Sequence, residues 1–266
     1  MRSRRWVVAG AAALCVLTGC THRDTGPQAH PAGPTHSAPA PRNTPSPRPA
    51  ARPVVVLDPG HNGGNSSHPT QIDQLVPAGR GTTKQCNTTG TATDAGYAEH
   101  AFDWDVALRV QSLLRGYARI VLTRPDDTGV GPCVDERAAI GNRARAAAVV
   151  SIHGDGSFSG HGFHVIRAAG DPGGQADRSR ALAVAVHNQL ARDTSLVPAT
   201  YVGEAGYNVR SDLAGLNLST RPSILVECGN MRDAGDAAIL SAASGRQQIA
   251  QAIAAGIRAY LSSALG

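Results

Sequence analysis

Two histidines and two glutamates stand where the chain could assemble metal chemistry. His61 follows the apolar run 54–57 (VVVL) across Asp58-Pro59-Gly60, His153 follows 148–152 (AVVSI), Glu227 follows 223–226 (SILV), and Glu99 opens an amphipathic stretch. Two imidazoles and one carboxylate are a recurrent donor set for a catalytic zinc, which keeps three protein ligands and leaves a further position open. Zn2+ held in this way lowers the pKa of water toward about 7 and polarises a carbonyl oxygen. Hydrolysis also needs a carboxylate that does not bind the metal, to take the water's proton and pass it to the leaving group. Taken singly, each residue has a plainer role: His61 and His153 as donors in loops, Glu99 as an acid in a first helical turn. Glu227 is the exception, because an unpaired carboxylate after a buried strand is costly. The set of four points to one zinc ion in a hydrolytic site.

Distant residues meet only if the elements between them demand it. The run 54–57 is β-branched, does not alternate, and stops at turn residues, as expected of a buried parallel strand. Residues 120–122, 148–152, 162–166 and 223–226 give four more short strands. Helices are expected at about 98–115, with Phe102, Val106, Val110, Leu113 and Tyr117 on one face, then at 134–146, 174–191 and 245–265. Alternating strands and helices predict a single α/β domain over 53–266, with a mostly parallel sheet flanked by helices. Parallel strands share a carboxyl edge, where open α/β sheets hold their ligands, and three of the four residues leave strands at that edge. The long polar segment 62–98 is expected to overhang the site as a flap.

Composition excludes one class of partner. The net charge of +5 is carried by the first 52 residues, which hold seven arginines and one aspartate; the remaining 18 basic and 19 acidic residues nearly cancel. The folded part therefore offers no nucleic-acid surface. Residues 1–20 combine an arginine-rich start with a short apolar run, as an export signal does, and no later segment is apolar enough to span a membrane. The end of that signal, Leu17-Thr18-Gly19-Cys20, resembles a bacterial lipobox, which implies lipidation of Cys20. Residues 21–52 are rich in proline and polar residues and read as a disordered tether. An exported protein at the cell envelope is expected, anchored by lipid to the outer face of the cytoplasmic membrane or released to the periplasm or wall. Membrane contact is through that anchor alone, and the chain is expected to be a monomer. Of the remaining cysteines, Cys86 and Cys133 lie in polar, glycine-rich loops whereas Cys228 ends an apolar run, so the expected disulfide is Cys86–Cys133.

An ordered series of short motifs sharpens the reading. Asp58-Pro59-Gly60-His61, Ala98-Glu99-His100, Leu122-Thr123-Arg124, Asp135-Glu136-Arg137 with Gly141-Asn142, Val150-Ser151-Ile152-His153, Gly162-Phe163 and Leu225-Val226-Glu227 follow one another across the domain. The series resembles zinc-dependent N-acetylmuramoyl-L-alanine amidases of the amidase_3 type. The resemblance implies zinc ligation by His61, Glu99 and His153, with Glu227 as general base and acid. The implied substrate is peptidoglycan or a muropeptide, cut at the amide between the lactyl group of N-acetylmuramic acid and L-alanine. The chain departs from the family pattern at His164, where an acidic residue is common, at Gly154-Asp155, and in the run after Glu227. Two other readings use the same residues: a zinc carboxypeptidase or endopeptidase acting on wall peptides, and a non-catalytic lipoprotein that binds muropeptides.

Overall fold

The computed structural model describes residues 51–265 together with Gly26. The expected leader with Cys20, and nearly all of the expected tether, lie outside the described residues. In chain order the described elements are β1 Val54–Pro59, α1 Pro69–Ile72, β2 Leu75–Gly79, β3 Thr82–Gln85, α2 Glu99–Leu114, β4 Arg119–Leu122, α3 Val134–Arg143, β5 Ala148–Asp155 and β6 His164–Ala168. They continue with α4 Ala176–Asp193, β7 Tyr207–Arg210, α5 Ala214–Asn217, β8 Ser223–Asn230, α6 Ala234–Ser241 and α7 Ala243–Leu265. Among these residues no helix is long and apolar enough to cross a membrane.

Six strands form one sheet in the order β4-β1-β5-β8-β6-β7, and β2 and β3 make a separate hairpin. Every pair in the large sheet is parallel except β6 with β8. The non-alternating sequence of β1 follows from burial on both faces. Val55 and Leu57 point into the main core with Phe102, Val106, Val150, Ile249 and Ile253, while Val56 packs on the other face with Val149 and Ala146. Helices α2, α4 and α7 cover the first face; α3, α5 and the hairpin stand together on the other. In α7, Ile249, Ile253, Ile257 and Leu261 form the buried stripe that their spacing predicts.

Several expectations need adjusting. The buried stripe of α2 runs through Phe102, Val106, Val110 and Leu114, whereas Tyr117 lies beyond the helix and is exposed. A strict three-and-four spacing permits Leu113 or Leu114; Leu114 is fully buried, and Leu113 packs partly buried against the same core. The segment 62–98 is not a bare loop, for it carries α1 and the β2–β3 hairpin. His153 and Glu227 lie inside the last turns of their strands rather than past them. The short elements β7, α5 and α6 have too few residues to show a period, and the sequence reading leaves them out.

Candidate metal centre

The sheet order explains how His61, His153 and Glu227 meet. β1, β5 and β8 are adjacent, and Ile152 pairs with Pro59 on one side while His153 pairs with Glu227 on the other. Parallel partners in register point to the same face, about 5 Å apart. Glu99 arrives from above as the first residue of α2, at the positive end of the helix dipole.

The donor atoms converge. Glu99 Oε1 lies 3.1 Å from His61 Nε2 and 2.9 Å from His153 Nδ1, and the two imidazole rings meet edge to face with centroids 5.0 Å apart. His61 Nδ1–H donates to the Thr88 carbonyl at 2.9 Å, which leaves the Nε2 lone pair facing the centre. Glu99 is itself held, accepting from the backbone N–H of Thr91 (2.8 Å) and of Gly154 (3.3 Å). Burial alone would raise the Glu99 carboxyl, but the His61 and His153 imidazoles outweigh it and hold the group well below the usual carboxylate range. Burial likewise opposes the charged form of His61, and Glu99 overrides it, raising that pKa.

Two glycines make the approach possible. A Cβ on Gly60 would stand 2.3 Å from His153 Cε1, and one on Gly90 would stand 2.8 Å from Glu99 Oε2. His61 itself has φ 51°, a left-handed backbone that a non-glycine residue adopts only under constraint. Two buried arginines supply it. Arg137 donates to the carbonyls of Pro59 (2.7 Å) and His61 (2.8 Å) and to Asp58 Oδ1 (2.9 Å). Arg124, 1% exposed, donates to the carbonyls of Pro59 (3.0 Å), Gly60 (3.1 Å) and His100 (2.9 Å). Both stand in motifs quoted above, where sequence alone gave them no role; carbonyl partners leave no trace in side-chain spacing.

Glu227 forms part of the wall of a cavity of about 270 Å³ that also exposes His61, Glu99 and His153. Lys84 and Gln85 of β3, with Asn87 and Thr88 just after it, close one side, as the expected flap would, and Leu213 to Leu216 close another. Glu227 makes no contact within bonding distance of a histidine nitrogen, and its Oε2 is buried without a partner. Burial first, then Glu99 and Asp155, push its carboxyl well above the ordinary range, with Arg210 opposing. His164, one of the departures from the family pattern, is its antiparallel partner on β6. Burial pulls the His164 imidazole down to about 4, so this neighbour is neutral at physiological pH.

One carboxylate escaped the sequence reading. Asp103 lies four residues after Glu99 on the same helix face, and together with His61, Glu99 and His153 it offers donor atoms that all lie within 4.8 Å of one another. Its only sequence signal is an acid inside the buried stripe, between Phe102 and Val106. Two imidazole nitrogens with carboxylate oxygens suit zinc by donor type. The expected disulfide is also present, as Cys86 and Cys133 are bonded and tie the end of the hairpin to the start of α3; Cys228 is buried and free.

Comparison with known proteins matches this architecture. Residues 55–259 fit the model of the Amidase_3 family, described as N-acetylmuramoyl-L-alanine amidase. The N-acetylmuramoyl-L-alanine amidase Rv3717 of Mycobacterium tuberculosis is 45% identical over 213 residues, covering 79% of this chain and 87% of that protein. The crystal structure of the N-acetylmuramyl-L-alanine amidase Ami1 from Mycobacterium smegmatis is 47% identical, with a TM-score of 0.75 over 80% of this chain and 98% of that one. The amidase AmiC2 of Nostoc punctiforme is more distant, 26% identical with a TM-score of 0.60, over 79% of this chain and 97% of that one. With the sheet, the converging donors and a family match over most of its length, the chain belongs to the Amidase_3 family of N-acetylmuramoyl-L-alanine amidases.

Proposed function

We propose that this chain hydrolyses the amide between the lactyl group of N-acetylmuramic acid and the L-alanine of the stem peptide, in peptidoglycan or its muropeptides, using one Zn2+ held by His61, Glu99 and His153. The observation that carries the reading is the convergence of His61 Nε2 and His153 Nδ1 on Glu99, with Glu227 beside His153 in register yet clear of the cluster. When bound there, zinc supplies Lewis acidity, activating water and polarising the carbonyl.

The remaining work belongs to side chains. Glu227 takes a proton from the attacking water; its raised affinity for a proton, set by burial and by Glu99 and Asp155, suits that task. It then returns the proton to the departing L-alanine amine, which must leave as a neutral group. His61 and Glu99 are kept in position by Thr88, Thr91, Arg137 and the glycines around them, so little reorganisation is needed in the reaction. The cavity between the hairpin and α5 receives the stem peptide on this reading. Export with Cys20 lipidated would hold the enzyme at the envelope, where its substrate lies.

Glu227→Gln tests the division of labour. The substitution is expected to leave zinc content and muropeptide binding within twofold of wild type and to lower turnover by at least ~100-fold, the lower end of what general acid–base groups contribute. Wild-type turnover in the fully substituted, zinc-loaded protein would contradict it.

A further inference from the structure

Asp103 stands apart from most buried acids of the fold: Glu227 leaves one oxygen, Oε2, without a partner, and Asp103 leaves both. Asp58 accepts from Thr123, Ser151 and Arg137, and Asp236 from the backbone of Gly162 and Asn230. Glu99 is satisfied on both oxygens. Asp103 is 0% exposed, and among the described residues neither carboxylate oxygen has a hydrogen-bond partner. A buried ionised carboxylate without a partner is costly, so such groups are paired, coordinate metals or take up a proton. The group is also aimed. Its Oδ2 lies beneath Gly60, where a Cβ would come within 2.7 Å of it and 2.5 Å of His153 Nδ1, so Asp103 shares the space of a ligand nitrogen.

We infer that Asp103 is a fourth protein donor of the metal centre, joining His61, Glu99 and His153. This rests on the metal reading above and goes beyond its three ligands. The i, i+4 spacing on α2 makes one helix supply both carboxylates, Glu99 from the first turn and Asp103 from the second. Two carboxylates and two imidazoles neutralise a divalent cation, and the open cavity beside Glu227 leaves room for water as a further ligand.

The test measures metal rather than turnover, on the full chain and its Asp103→Asn and His61→Ala variants. Zinc affinity is read by chelator competition, coordination by the visible ligand-field bands of the Co2+-loaded proteins, and stability by melting with and without metal. Asp103→Asn is expected to weaken zinc binding at least tenfold and to shift the Co2+ bands. Its metal-free form melts at or above the wild-type temperature, because the unpaired carboxylate is gone, while its gain in Tm on adding metal shrinks. Co2+ bands identical to wild type overturn the inference even if affinity falls, since losing or replacing a directly bound carboxylate oxygen must change the ligand field. Should Asp103→Asn fail to fold, Asp103→Glu moves the donor by one methylene and must shift the same bands; unshifted bands again overturn it. Wild-type affinity in His61→Ala fails the metal centre as a whole, whereas loss in His61→Ala with no change in Asp103→Asn fails this inference alone.

Discussion

The residues that hold the centre are more numerous than those that would touch the metal, and Asp58 with Arg137 shows how they act. Burial works against the charged Asp58, but Arg137 and the hydroxyls of Thr123 and Ser151 outweigh it and hold its pKa below the ordinary value near 3.8. A folded-state pKa below the unfolded one contributes stability that is present above about pH 4 and is lost as pH falls through the folded value. Asp58→Asn is therefore expected to flatten the acid limb of the stability profile below pH 4. At neutral pH it should cost about 3–5 kcal/mol, because Arg137 is left buried without its anion. Urea denaturation at pH 3 and pH 7 checks both; an unchanged acid limb would sink the assignment. The four residues expected from sequence were legible because chemistry-bearing side chains at strand ends are rare and ordered. Arg124, Arg137 and Thr88 were not, because they act through backbone carbonyls. Asp103 was hidden by the apolar stripe that surrounds it.

At the level of elements, the β2–β3 hairpin and its disulfide link the flap to the centre. Cys86 bonds Cys133 across 47 residues, the Cys86 carbonyl accepts from Val134 N–H at 2.9 Å, and Thr88, two residues on, orients His61. In the chain-entropy model, closing a loop of this length contributes about 4 kcal/mol, an upper figure where the reduced chain keeps structure. Replacing both cysteines with serine is expected to cost about 2–4 kcal/mol and to weaken zinc binding, since the Thr88 carbonyl loses its tether. Equal zinc affinity in the variant would show that the hairpin and the centre are uncoupled. The sequence reading reached the disulfide by the surroundings of each cysteine. It did not reach the hairpin: β3 (TTKQ) is wholly polar, and the short apolar run of β2 (LVPAG) is interrupted by Pro77, a residue that argues against a strand.

Across the described domain, the core and the candidate site occupy different parts of one sheet. The core on the α2, α4 and α7 face carries the stability, and the carboxyl edge of β1, β5 and β8 carries the site. Gly256 marks how closely the helices pack: a Cβ there would stand 2.6 Å from Val186 Cα on α4. Gly256→Val is expected to destabilise by about 1–3 kcal/mol or more through overpacking, with zinc affinity unchanged in the folded fraction. Denaturation and chelator competition on the same sample separate the two effects. The overall plan was legible because β-branched runs alternate with periodic helices. The antiparallel placement of β6 was not, since strand direction is set by the connections across the sheet and not by the residues within the strand.

This sheet edge is proposed to cut one particular amide, and the identity of the products decides it. Intact sacculi and muramyl peptides are digested with the zinc-loaded protein, and the products are resolved by mass spectrometry. Expected are stem peptides bearing a free L-alanine amine, with the N-acetylmuramic acid residues keeping their lactyl groups, and neither change with Glu227→Gln. Fragments cut within the stem peptide, or products identical with wild type and Glu227→Gln, would contradict it.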